Sequence, residues 1–369
     1  MYSKIKCLSG CSKLGELIKF LSTGEVSLAV VLSSTKVSEV PGITLASLRS
    51  VITIGGESLS PMDLPTIEAE VALAGRPLTH NVLPISPVGA PSPAVIIGAL
   101  CKMYGINLRL IAAGLKKKPK VQHMPLDIAP GGDIRKCEGV KNAKEVFKKA
   151  SDLADAFSRY DCVIIGESIP GGTTTAAAFL EALGYRAVGG VSSTLPEAPK
   201  SIKESVISEA LKCLEKREVG DVFDVLEVVG DPVIPSVAGL AAGLLGRGVR
   251  VILGGGTQMA AVLALLKEIG ENISELSVVT TKWVAEDPSA GFAELIRGLA
   301  PDSIITYLSI DLSNSRHEGL RLYERGYVKE GFGLGAVLLT AYLRSGLDPE
   351  EYVVVIDNLY AKALSSWST

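Results

Sequence analysis

The sequence predicts an α/β protein with a doubly wound, mostly parallel sheet and helices flanking both faces. Three observations carry that prediction. First, an apolar strand, a glycine turn and a small-residue helix follow one another at Asp161–Ala178, and the device returns at Arg250–Gln258 and again at Lys329–Leu343. Second, strand-like and helix-like patterns alternate along most of the chain, as crossovers between parallel strands require. Third, 47% of residues are hydrophobic, 38 are glycine and only 5% are aromatic, a composition suited to close packing around strands covered on both faces. Such a Rossmann-like architecture gathers ligands outside the carboxyl ends of its strands, where all three glycine loops are expected.

A chain of 369 residues is long enough for a single large domain. The expected core covers about 80–345, with 1–60 and 346–369 adding a smaller, helical, packed part. Charged residues make up 21% and the net charge is −3, so no basic field for nucleic acid arises, and few aromatics are available for stacking on bases. The start of the chain has no charged-then-apolar signal pattern, and prolines break the uncharged run from Pro77 to Cys101. A cytoplasmic protein without a membrane or nucleic-acid partner is expected. The cysteines at 7, 11, 101, 137, 162 and 213 and the histidines at 80, 123 and 317 are scattered, with no zinc spacing. Reduced, structural thiols are expected, and neither metal nor cofactor.

Near the amino terminus, Lys13–Leu21 reads as an amphipathic helix, Ser27–Leu32 as a strand and Ser50–Ile54 as a second strand ending in Gly55-Gly56-Glu57. Asp63–Leu73 reads as a helix with Pro65 in its first turn. Pro77–Pro93 is rigid and irregular, either a plain connection or a wall for a flat ligand, and Ser92 caps a helix that Pro93 begins. Asn107–Ala112 is a strand, Lys116–Lys120 a basic run that is either a solvated surface or a contact for a substrate phosphate, and Asn142–Phe157 a helix with Val146, Ala150, Leu153 and Phe157 on one face. Further on, Tyr185–Gly190 ends in Gly-Gly, Ser201–Lys216 is a helix, Asp221–Val229 is helix or strand, and Pro235–Leu245 is a small-residue helix. Arg250–Leu253, Leu276–Trp283 and Ser303–Ser309 are strands, helices begin near Pro288 and His317, and Asp348–Leu364 closes the chain as a helix.

The stretch around which the rest is arranged is Cys162–Ala178. Gly171 and Gly172 let a ligand approach the backbone, and the free amides of the following helix, with Thr173, Thr174 and Thr175, suit a phosphate or carboxylate. Glu167 needs another task there, either meeting a cationic or hydrogen-bonding ligand group or making a structural hydrogen bond. Glycine turns of this kind also occur in doubly wound proteins without phosphate, so the stretch alone leaves both readings open.

Four stretches together resemble the nicotinate-nucleotide–dimethylbenzimidazole phosphoribosyltransferases, and more closely their archaeal homologues. Gly171–Ala178 is similar to the family's Gly-Asn-Thr-Thr-Ala-Ala-Ala loop, and Gly255–Ala261 to its Gly-Gly-x-Glu-x-Ala-Ala loop. Lys329–Gly333 is similar to the Gly-Glu-Gly stretch that holds the catalytic glutamate, and Gly166-Glu167 precedes the first loop as a carboxylate does in the bacterial enzymes. The likeness runs in order over about 80–345. An early Asp-His-Gly stretch is missing, Thr173 stands for Asn and Gln258 for Glu, departures that bear on the identity of the accepting base.

The resemblance implies transfer of phosphoribose from nicotinate mononucleotide to a benzimidazole or purine-like base, giving an α-ribotide for the lower ligand of cobamides. It implies a homodimer as well. Glu330 becomes the candidate general base, against the plain alternative of a glutamate offsetting a helix dipole. Glu167 would stabilise ribose charge or hold the acceptor's second nitrogen. Gly171, Gly172, Thr173, Thr174 and Thr175, with Gly254, Gly255 and Gly256, are candidates for the phosphate, joined by Lys282, Arg325 or Lys329. Gly331 lets ligand and backbone come close, and Ser86, in the Pro84–Pro91 wall, is available to a ring nitrogen. The rivals are a non-catalytic nucleotide binder and a dinucleotide-dependent oxidoreductase; no Gly-x-Gly-x-x-Gly followed by an acidic residue about twenty positions on supports the latter.

Overall fold

The structure is a computed structural model that describes residues 2–44, 53–54, 57–187, 200–287 and 291–367. Its main sheet has eight strands: β1 Ile5–Ser9, β2 Val26–Leu32, β3 Asn107–Ala112, β4 Met124–Pro125, β5 Cys162–Ser168, β6 Arg250–Gly254, β7 Ser277–Thr281 and β8 Ile304–Leu308. They lie in the order β1-β8-β7-β6-β5-β2-β3-β4, all parallel except the edge strand β1, which runs antiparallel to β8. The doubly wound, mostly parallel sheet expected from the sequence is therefore present.

Side chains of the central strands alternate between two cores. Val163 and Ile165 point to one side, with the Gly172–Ala182, Val233–Leu245 and Thr257–Glu268 helices. Ile164 points to the other, with the Ala94–Met103, Leu334–Ser345 and Pro349–Trp367 helices. β5 is buried along its whole length, which explains its unbroken β-branched run.

After β2 the chain moves outward through β3 and β4. It returns to β5 on the other side of β2 and then builds β6, β7 and β8 outward in the opposite direction. The carboxyl ends of β2 and β5 thus flank the topological switch point, where the loops diverge and leave a crevice.

Most sequence assignments hold within a residue or two, and Asp221–Val229 resolves as a helix because the Asp221 carboxylate accepts from the Phe223 and Asp224 amides. β1 was not foreseen: five residues of mixed polarity gain their place by pairing with a strand about 300 residues away. The proposed strand at Ser50–Ile54 is described only at Thr53–Ile54, which pairs with Glu57–Ser58; Gly55, Gly56, the Gly-Gly at 189–190 and Pro288 lie outside the described residues.

The expectation of reduced thiols is corrected. Cys7 pairs with Cys11, and Cys137 with Cys213, as disulfides, whereas Cys101 and Cys162 are free and buried. The second bridge joins residues 76 apart, a juxtaposition made by folding and carried by no spacing rule. Among the described residues no helix is long and apolar enough to cross a membrane.

Candidate active site

A cleft with about 1070 Å³ of empty space, part of it open to solvent, lies at the switch point. β5 delivers Glu167 to it, and the Gly331-Phe332-Gly333 turn lies directly on that strand. A β-carbon on Gly166 would meet the Gly333 nitrogen and the Phe332 carbonyl carbon at 2.7 Å, so only glycine lets the two segments touch. The Phe332 N–H donates to the Glu167 carbonyl at 2.7 Å, and Phe332 itself adopts φ 60°. This contact fixes Glu330 beside Glu167, although the two are far apart in sequence.

Glu330 is held from behind. Its carboxylate accepts from the Gly331 amide at 3.1 Å and from the Gly335 amide at 3.2 Å, the latter at the start of the Leu334–Ser345 helix. Glu330 thus sits at a helix start, as the plainer sequence reading has it, and it also lines the cleft. Enclosure pushes its carboxyl up to about 7, against the opposing pull of those amides.

Glu167 is 6% exposed, and burial pushes it up to about 8, with the Asp231, Glu330 and Glu68 carboxyls adding to the rise. Two members of this group were missed in the sequence. Glu68 projects from the Leu64–Ala74 helix into the cleft, accepts hydrogen bonds from the Ser92 and Ser168 hydroxyls, and is pushed up to about 7 by burial. Asp231 caps the Val233–Leu245 helix through the Val233 amide at 2.8 Å, accepts from the Thr175 hydroxyl, and is pushed up to about 6, again by burial. Glu68 carried a faint signal, a carboxylate on a helix without a polar face.

Gly171, Gly172 and Thr173, which follow β5 in the chain, also line the cleft. Gly171 has φ 84°, which favours glycine, and a β-carbon on Gly172 would strike the Ile169 and Gln258 side chains. Two amides expected to face a ligand are already used: Gly172 N–H donates to the Ile169 carbonyl and Thr174 N–H to the Gly171 carbonyl, both at 3.0 Å.

Thr174 and Thr175 are fully buried and outside the lining. The Thr175 hydroxyl is taken by Asp231, and that of Thr174 has no hydrogen-bond partner among the described residues. Of the second loop, Gly256 lines the cleft with Thr257 and Gln258. Gly254 instead packs against Gly333 and Ala336, and the Gly255 amide bonds the Val279 carbonyl.

Of the cations weighed in the sequence, only Lys329 lines the cleft. Lys282 is outside the lining, paired with Glu324 at 2.8 Å, and Arg325 pairs with Glu318 at 2.7 Å. Lys329 lines the cleft, paired with Asp287 at 2.5 Å. The unforeseen cation is Lys203, on the Lys200–Leu214 helix, whose ammonium donates to the Thr173 hydroxyl at 3.1 Å. No carboxylate pairs with it among the described residues, and burial, helped by repulsion from Lys329, pushes it down to about 8. An enclosed ammonium beside a second lysine and a glycine loop is poorly compensated, and a bound anion would relieve it.

Another wall is the Pro84–Pro93 segment, with Ser86 in the lining. Ser92 N–H donates to the Pro84 carbonyl at 2.7 Å, the Ser86 amide to the Ala90 carbonyl at 2.8 Å, and the Tyr323 hydroxyl to the Pro91 carbonyl at 2.8 Å. The wall is therefore rigid. Gly331 closes the lining next to Glu330 and Phe332. Chemically, the cleft joins an anion-seeking end to carboxyls with pKa values near neutrality, an arrangement suited to moving a proton beside a bound phosphate.

Comparison with known proteins identifies the family to which the chain belongs. A family model described as phosphoribosyltransferase matches residues 93–282, just over half of the chain. A UPF0284 protein of Aeropyrum pernix is 39% identical over 346 residues, covering 92% of this chain and 94% of its own, and one of Metallosphaera sedula is 37% identical, covering 96% and 98%. Among solved structures, CobT from Thermus thermophilus superposes with a TM-score of 0.61 at 13% identity, covering 94% of this chain and 90% of that one. A nicotinate-nucleotide–dimethylbenzimidazole phosphoribosyltransferase structure from the same organism gives 0.56 at 13% identity, covering 91% and 83%. At that identity these two likenesses concern the fold. From the family match and from relatives close to 40% identical over nearly its whole length, this chain belongs to the phosphoribosyltransferase family.

Proposed function

We propose that the cleft transfers phosphoribose from nicotinate mononucleotide to a ring nitrogen of a benzimidazole or purine-like base, giving an α-ribotide of the kind used as the lower ligand of cobamides. The observation that carries this is the meeting in one cleft of Glu330 and Glu167 with the Gly171–Thr173 loop and Lys329, and of Lys203 with Thr173. The donor's 5′-phosphate lies at the lysine end, against Lys203, Lys329 and the Thr173 hydroxyl. The acceptor lies between the Pro84–Pro93 wall and Glu330, with the ribose C1′ between the two ends.

In the reaction the acceptor nitrogen forms a bond to C1′ as the bond from C1′ to the nicotinate nitrogen breaks. The electrons of the broken bond neutralise the pyridinium ring, and nicotinate leaves. The acceptor's ring N–H proton passes to the Glu330 carboxylate, whose pKa of about 7 leaves a large ionised fraction at neutral pH while keeping it basic. Glu167 is mostly protonated in the empty cleft. Positive charge building on the ribose favours its ionised form, and the carboxylate then stabilises that charge. Attack opposite the leaving group turns a β-nucleotide into an α-ribotide. A homodimer is carried forward from the family resemblance.

The test is release of nicotinate from nicotinate mononucleotide by the purified protein, followed with and without added base. Release that depends on the base, with a new ribotide seen by mass, supports the reading. Nucleotide binding without release under any pairing contradicts it.

A further inference from the structure

Proton transfer and charge stabilisation occupy Glu330 and Glu167, and neither step uses Glu68. This carboxyl is 5% exposed, lines the cleft, and pairs with no cation among the described residues. Such a group is costly to bury, and a leucine would suit its apolar helix better. Its neighbours locate it. One oxygen accepts from Ser92 of the proline-rich wall, and the other from Ser168, which follows Glu167 at the end of β5. Glu68 therefore bridges the wall and the carboxylate strand, at the end assigned to the acceptor. Each carboxyl oxygen offers two acceptor sites, and the serines take one on each.

Resting on the phosphoribosyl-transfer reading, we infer that Glu68 reads the edge of the acceptor base remote from the ribosylated nitrogen. The acceptor it selects carries a hydrogen-bonding edge there, such as the amidine edge of an aminopurine, in preference to methyl groups. A carboxylate accepts the amino N–H of that edge. A neutral carboxyl also donates its O–H to the adjoining ring nitrogen while its carbonyl accepts the amino group. The dimethylated ring of dimethylbenzimidazole offers neither partner and would bury the carboxyl against methyl groups, and a site built to hydrogen-bond its substrate discriminates strongly against analogues that cannot reply.

The experiment compares adenine with 5,6-dimethylbenzimidazole as acceptors for nicotinate mononucleotide, singly and in competition, with ribotides quantified by mass. Wild-type kcat/KM is expected to favour adenine by about tenfold or more. Glu68→Leu should reduce that ratio to about twofold or invert it, while Glu68→Gln, which keeps a donor and an acceptor, should retain a preference for adenine. A wild-type preference for dimethylbenzimidazole overturns the inference, as does an unchanged ratio in Glu68→Leu, which would leave Glu68 as a structural tie between Ser92 and Ser168. If Glu68→Leu does not fold, the wild-type ratio decides. Absence of transfer with every acceptor instead refutes the underlying reaction. Calorimetric binding of the two free bases to wild type and to Glu68→Gln would then decide the role of Glu68: tighter binding of adenine supports it, and equal binding or a preference for dimethylbenzimidazole overturns it.

Discussion

Replacing Lys203 by methionine tests whether its enclosed ammonium awaits an anion. Methionine keeps the length and helix propensity of the side chain and removes the charge. In the empty protein burial lowers the lysine pKa from 10.5 to about 8, which corresponds to about 3 kcal/mol against the charged form at roughly 1.4 kcal/mol per pH unit. Between those pH values the unfolded chain binds more protons than the folded one, so the empty protein gains stability as pH rises from about 8 towards 10.5. Below about pH 8 the charged lysine is a full burden. Lys203→Met should therefore be more stable than wild type at pH 7, by up to about 3 kcal/mol, with the advantage fading above the unfolded pKa.

The same change should weaken nicotinate mononucleotide binding by about 10- to 100-fold, the value of a charge-assisted hydrogen bond to phosphate. Urea unfolding at pH 7 and at high pH, with calorimetric titration of the nucleotide, measures both effects. A variant that is less stable at pH 7 and binds the nucleotide unchanged would refute the reasoning and leave Lys203 as a tether for Thr173.

Other outcomes follow from the same geometry. Because Glu330 must lose its proton to act as a base, kcat/KM should rise with pH through about 7, and Glu330→Gln should abolish that limb of the profile. Glu68, Glu167 and Glu330 have folded pKa values raised above 4.5, so the stability they contribute is complete below that value and is lost as pH rises through 7 to 8; Glu167→Gln should raise the melting temperature at pH 8 and flatten its pH dependence. Gly166→Ala forces a β-carbon into the Phe332–Gly333 backbone, and should destabilise by about 1–3 kcal/mol and reduce turnover more than tenfold by displacing Glu330, with far-ultraviolet circular dichroism unchanged. Reduction of the Cys137–Cys213 bridge, or Cys137→Ser, should lower unfolding free energy by about 4 kcal/mol for a closed loop of this length, against about 2 for Cys7–Cys11, as read by denaturant midpoints.

The sequence disclosed those features whose cause is local. β5 is legible because both its faces are buried, and Gly171 because a left-handed turn requires it. The order of the three glycine loops was enough to anticipate that Glu167, Glu330 and Gly171–Thr173 meet. Where sequence reasoning lost detail, the cause lay in tertiary contact. Gly254 resembles a ligand glycine but is small because Gly333 and Ala336 press on it. Thr174 and Thr175 follow Thr173 in sequence, yet one helical step turns them away from the cleft and into the core. Lys203 lies between a half-buried Ile202 and an exposed Glu204, and nothing in the pattern of that helix marks it as the lysine that meets Thr173. Lys282 ends a strand as a phosphate ligand would, but Glu324 occupies it. The Cys137–Cys213 disulfide and β1 depend on partners brought together only by the completed fold, whereas Cys7 and Cys11 are four residues apart and no spacing rule marks them as a disulfide.

The central claim is that one cleft binds a nucleotide and a base and that Glu330 removes the acceptor's proton. Its most direct test measures binding and chemistry in the same samples, titrating nicotinate mononucleotide and an accepting base into wild type and Glu330→Gln and then quantifying nicotinate and ribotide by mass. The account predicts ribotide from wild type, and nucleotide affinity within about threefold in the variant but transfer slower by about 10²- to 10⁴-fold, the usual worth of a general base. Equal transfer rates in the two proteins, or tight binding by wild type with no ribotide formed, would contradict it.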